Sequence, residues 1–118
     1  MRLIRSFGYA FEGIWHCYTK ELNFRIHVTF MLLAISAGFG LKISVMEWII
    51  LSGCIAMVLI LEMLNTAIER LCDIVSPSRM PQIKIIKDIA AGAVLLGAVA
   101  SVCIGSFIFF PKIVDILK

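Results

Sequence analysis

Charged side chains divide this sequence into long apolar stretches, and the gaps between them predict its elements. From Ile89 to Pro111 there is no charged residue, and about 20 apolar residues cross roughly 30 Å of hydrocarbon as a helix. That stretch reads as a transmembrane helix. Asn23 to Leu41 is uncharged apart from Arg25 and His27 in its first turns, where a basic side chain reaches back to the interface while its stem stays in lipid. A third stretch begins near Ser44, passes Trp48 and Leu61, and keeps a helical pattern through Glu62 and Glu69 to Val75. It is longer than a membrane is thick and is expected to project from it. The predicted helices are therefore 22–41, 44–75 and 83–110.

Residues 1–20 follow another rule. Leu3, Phe7, Ala10, Phe11, Ile14 and Tyr18 recur at intervals of three and four, which puts them on one stripe of a helix lying in the membrane surface. Arg2 and Arg5 ahead of apolar residues mimic a secretory leader, but Glu12, His16 and Lys20 interrupt any apolar core, so none is expected. Breakers at Ser76, Pro77, Ser78 and Pro81 predict the turn between the second and third spans. Gly38, Gly40 and Lys42 to Ser44 predict the other turn, with Ser44 and Glu47 forming a capping box and Trp48 at the interface.

Composition sharpens the class. Hydrophobic residues make up 61% of 118, against about 45–50% in soluble domains, and mean hydropathy is +1.01. The prediction is an all-α integral membrane protein in one domain, 1–118: an amphipathic surface helix followed by three transmembrane helices. Arg2, Arg5, Lys20 and Arg25 precede the first span, and Arg70, Arg79, Lys84 and Lys87 flank the turn between the second and third; the other side holds Lys42, Lys112 and Lys118. This asymmetry places the N-terminus and the second-to-third connection in the cytoplasm. The net charge of +3 is thus a topology signal and no argument for nucleic acid. The four cysteines have neither metal-ligand nor disulfide spacing. Ala93, Gly97, Ser101 and Gly105 form a ladder of small residues on the third span, which predicts close helix packing within or between chains.

Charge at a membrane edge is costly and persists where function or pairing offsets it. Glu62, Asn65, Glu69 and Asp73 follow one another at helical spacing and share a face of the second span. Glu21 and Arg25 sit at the start of the first span, and Lys84, Lys87 and Asp88 at the start of the third. Carboxylates for a divalent cation, basic groups for phosphate and a spare carboxylate as base are what phosphoryl transfer needs. At this depth the natural acceptor is the hydroxyl of a lipid. Three helices leave little interior to shield these charges, so a homo-oligomer is expected.

The run Glu62-Met63-Leu64-Asn65-Thr66-Ala67-Ile68-Glu69, Asp73 after it, and Lys87-Asp88-Ile89-Ala90-Ala91-Gly92-Ala93-Val94 resemble the signature of the prokaryotic diacylglycerol kinase family. Gly8-Tyr9 and Glu21-Leu22-Asn23-Phe24-Arg25-Ile26-His27 match it too, so the resemblance covers nearly the whole chain. It implies a homotrimer of the bacterial inner membrane with composite sites, using MgATP without a P-loop; GxxxxGK[ST] is indeed absent. By that resemblance Glu62 is the base for the lipid hydroxyl and Asn65 orients Glu62 or the phosphoryl group. Glu21 and Glu69 hold Mg2+, Lys87 neutralises the transferring phosphate, and Asp88, Tyr9 and Arg2 contribute to the nucleotide site. Arg79-Met80-Pro81 stands where many relatives carry a loop histidine, and Asn23-Phe24-Arg25-Ile26-His27 is closer to the undecaprenol-phosphorylating branch than to the enteric diacylglycerol kinases.

Plainer readings compete. Glu62 and Glu69 can be structural charges paired with Arg25 or Lys87, Lys84 an interfacial anchor, Asp73 a solvated helix-end charge, and His27 a packed histidine. A small multidrug transporter also places a glutamate in a helical bundle, but within its first span. A non-enzymatic membrane protein needs no acidic wall opposite a Lys-Asp pair.

Overall fold

A computed structural model describes residues 1–76 and 80–118. It consists of four helices, α1 Arg2–Lys20, α2 Leu22–Leu41, α3 Val45–Val75 and α4 Pro81–Leu117. The described residues contain no strand. The expected turn residues Pro77 and Ser78, and Arg79 of the altered loop motif, lie outside the described residues.

Three of these helices are long and apolar enough to cross a membrane: α2, α3 and α4. Few of their side chains are shielded by the chain itself. Phe30, Leu33, Ile60, Leu95, Leu96, Val102 and Phe107 are all exposed, so lipid or another copy must cover them. The apolar stripe of α1 is likewise uncovered, with Leu3, Phe7 and Phe11 exposed, as a helix resting on a membrane surface requires.

The bends follow from local chemistry. Glu21 is the single extended residue between α1 and α2 (φ −112°, ψ 114°) and serves as C-cap of one and N-cap of the other. A surface helix thereby passes into a spanning helix at a carboxylate. At the other end of α2, Lys42 adopts the left-handed conformation (φ 54°) and its N–H donates to the Gly38 carbonyl. Ser44 then caps α3 through the expected capping box: the Glu47 N–H donates to Ser44 Oγ at 3.1 Å and the Ser44 N–H donates to Glu47 Oε1 at 2.8 Å. Gly38 is required there, because a Cβ would sit 2.7 Å from the Trp48 ring. Ile43, Leu51 and Ile108 form the buried apolar core at this end, which we call the far end.

The fourth helix departs from its expected bounds of 83–110. It starts at Pro81, whose fixed φ and missing N–H suit a first helical turn. It also continues through Pro111 to Leu117. Pro111 removes one backbone donor, which neighbouring structure tolerates near a membrane helix end, and the next residue, Lys112, is tied to Glu47 of α3 at 3.2 Å.

Packing between α3 and α4 uses the small-residue ladder within one chain at two rungs. A Cβ on Gly97 would come within 2.6 Å of Leu61 Cδ1, and Ser101 Oγ donates to the Cys54 carbonyl at 3.5 Å. Gly105 faces open space and lines an apolar cavity of about 210 Å³ between α2, α3 and α4.

Candidate active site

The acidic face of α3 comes out at the end of the bundle opposite the Ser44 turn, here the charged end. Glu62, Asn65 and Thr66 are the buried polar residues among the described residues, at 4%, 6% and 6% exposure. Helical periodicity aligns them, and α2 approaches the row at Glu62. His27, from the second turn of α2, puts Nε2 3.6 Å from Glu62 Oε2, which is beyond hydrogen-bond length. Glu62 therefore keeps acceptor capacity. Asn65 Nδ2 donates to Glu69 Oε1 at 3.0 Å, one turn on. The Asn65 Oδ1 atom is buried and has no hydrogen-bond partner among the described residues, an unusual state for a polar atom that fits a contact made only when a substrate is bound.

The extended backbone at Glu21 aims its carboxylate at α3. Glu21, Glu69, Arg70, Asp73 and Ile74 line one cleft of about 350 Å³, and Arg70 Nη2 lies 3.3 Å from Glu21 Oε1. Glu21 thus pairs across 49 positions with Arg70 and not with Arg25 four residues on. At the cleft margin Lys87 Nζ bonds Asp73 Oδ1 at 2.6 Å, joining α4 to α3. Lys84 Nζ bonds Asp88 Oδ2 at 2.6 Å along α4. Cys17, at the end of α1, is buried; burial first, then the nearby Glu21 carboxylate, pushes its thiol above the ordinary range.

The expected site residues therefore divide. Glu62, Asn65 and Glu69 form a continuous row, Glu21 faces Glu69 across the cleft, and Lys87 is tied to the cleft through Asp73. Asp88 turns outward to Lys84, with 61% of its side chain exposed, and Arg2 and Tyr9 are exposed on α1. The structural pairings imagined for Glu62 and Glu69 with Arg25 or Lys87 do not form: Glu62 faces His27, and Lys87 takes Asp73.

The model of the family described as prokaryotic diacylglycerol kinase matches residues 8–109, which takes in the elbow, the acidic face of α3 and the start of α4. The chain belongs to the prokaryotic diacylglycerol kinase family. It is a membrane lipid kinase by class. It is 40% identical to an undecaprenol kinase of Bacillus subtilis over 95% of this chain and 91% of that protein. A diacylglycerol kinase of Synechocystis is 37% identical over 98% of this chain and 66% of its own length, and one from Escherichia coli K12 is 28% identical over 86% and 83%.

Two features of the site in this family member escape sequence reasoning. Arg70 was visible only as a loop-flanking basic residue, and nothing in its spacing pointed to Glu21. His27 was recognisable as an isolated histidine near a span end, but its position opposite Glu62 depends on how α2 crosses α3.

Proposed function

We propose that this protein transfers the γ-phosphoryl group of ATP to the hydroxyl of a membrane lipid, undecaprenol in preference to diacylglycerol, at the cytoplasmic face of the bacterial inner membrane. The single observation that carries this reading is a buried carboxylate, Glu62, with unspent acceptor capacity, in line with Asn65 and Glu69 and one step from the cleft that holds Glu21. The preference for undecaprenol rests on the 40% identity to an undecaprenol kinase over 95% of the chain.

Glu62 accepts the proton of the lipid hydroxyl as its oxygen bonds to the γ-phosphorus and the bond to the departing ADP oxygen breaks, and burial next to the apolar spans keeps competing water away. The orphaned Asn65 Oδ1, beside the Nδ2 that holds Glu69, orients a reacting group. Glu21 and Glu69 would hold magnesium. The donor set fits: Mg2+ is commonly bound by one or two carboxylates together with nucleotide phosphates and water, and Glu21 and Glu69 line the same cleft. A bound ion would supply positive charge to the phosphates. Lys87 adds positive charge at the cleft, and Asp88, Tyr9 and Arg2 complete the nucleotide site from elements that a neighbouring copy brings closer. That division, together with the extent of uncovered apolar surface, supports a homotrimer with shared sites. Residues 1–118 act as one lipid-kinase domain, with the N-terminus and the α3–α4 connection cytoplasmic.

The test is magnesium-dependent ATP turnover in detergent micelles or nanodiscs, with undecaprenol and diacylglycerol assayed side by side. Turnover should depend on added lipid alcohol and be faster with undecaprenol. ATP hydrolysis indifferent to either lipid would remove the proposal.

A further inference from the structure

Arg70 stands beside Glu69 in sequence but off the face shared by Glu62, Asn65, Glu69 and Asp73, yet it lines the same cleft as Glu21, Glu69 and Asp73. Its guanidinium meets Glu21 at 3.3 Å. Asp73 is already engaged by Lys87 and Glu69 by Asn65, so each carboxylate of the cleft has a different partner, and the Glu21 partner is a solvent-exposed cation. The Arg70 side chain is 55% exposed and that of Glu21 26%, and an ion pair so placed in high dielectric contributes little and separates readily. A divalent ion approaching Glu21 meets a positive charge at short range, which it must displace. Once displaced, a planar guanidinium on the rim of that cleft suits bidentate hydrogen bonding to phosphate.

We infer that Arg70 is an exchange residue of the nucleotide site: it occupies Glu21 while the cleft is empty, gives up that carboxylate to a metal–nucleotide complex, and then binds the nucleotide phosphates. The inference rests on the assignment of Glu21 and Glu69 to the metal. It predicts opposite effects on two affinities, which loss of a merely structural ion pair would not produce.

The experiment uses full-length protein in nanodiscs. Mn2+ binding without nucleotide is followed by electron paramagnetic resonance, and binding of a non-hydrolysable ATP analogue at saturating Mg2+ by calorimetry. Arg70→Gln should bind Mn2+ about threefold to fivefold more tightly, the scale of a lost exposed ion pair, while its nucleotide affinity falls about tenfold, the scale of a lost charge-assisted hydrogen bond. Arg70→Lys should retain the native Mn2+ affinity and recover part of the nucleotide affinity. Unchanged Mn2+ binding in Arg70→Gln, or both affinities moving the same way, overturns the exchange. Native Mn2+ binding in both Glu21→Gln and Glu69→Gln would instead remove the metal assignment itself, so the two failures are told apart.

Discussion

The two ends of the α3–α4 pair each carry a lysine-carboxylate bridge, yet the carboxylates around them are in different circumstances. At the far end Glu47 is held twice through one oxygen: Oε1 accepts from the Ser44 N–H to close the capping box and meets Lys112 at 3.2 Å. At the charged end Lys87 satisfies Asp73, and beyond that bridge remain Glu62, whose one ion-pair partner among the described residues is a histidine at 3.6 Å, and Glu21, held by an exposed arginine. The same residue type is structural where a local backbone donor and a lysine together fix it, and available for chemistry where no such pair does. Identity and depth do not separate the two cases; the accounting of partners does.

The comparison can be broken most decisively at Glu62. Replacing it with Gln should lower lipid-stimulated turnover by on the order of a thousandfold, within the range for a lost general base, while the circular dichroism spectrum and oligomer size stay unchanged. Substituting Glu47 with Gln should leave turnover within about twofold and lower stability by ~0.5–1 kcal/mol, the scale of a cap and an exposed bridge, read by unfolding in mixed micelles. Equal losses of activity in the two variants would erase the distinction between the ends.

Glu21→Gln and Glu69→Gln should come next, raising the magnesium concentration for half-maximal turnover about tenfold, a shift equivalent to ~1.4 kcal/mol; magnesium titration of initial rates checks this. A smaller effect is expected midway between the ends. Gly97→Val must push Leu61 aside and should destabilise the α3–α4 contact by ~1–3 kcal/mol, measured as a lower thermal midpoint in detergent. Gly97→Ala asks less, since the conflicting atom is the tip of a flexible side chain. The least change is expected at Cys17: burial and its raised thiol should make it label more slowly with maleimide at neutral pH in the folded protein than in the same protein unfolded in denaturing detergent.

How much was legible in the sequence varied with the range of the interaction. Hydropathy and charge gaps revealed the three spans, because a bilayer excludes charge regardless of how helices pack. The capping box at Ser44 and Glu47 was equally visible, since its partners are three residues apart. The row Glu62, Asn65, Glu69 and Asp73 was read from helical spacing alone. The extent of α4 was read short on both sides, as proline suggests a boundary by local rule whereas Pro81 opens the helix and Pro111 is carried within it. The partner of Glu21 was not legible, because Arg70 lies 49 positions away.

Composition and periodicity by themselves determined that the chain spans a membrane, that a surface helix precedes three spans, and that one face of α3 is acidic, since each follows from interactions between near neighbours or with the solvent. Which carboxylates remain free was decided only by tertiary structure. The meetings of Glu21 with Arg70, His27 with Glu62 and Asp73 with Lys87 depend on the elbow at Glu21 and on how the helices cross. Those angles arise from packing between distant segments, such as Gly97 against Leu61, and no local pattern in the sequence encodes them.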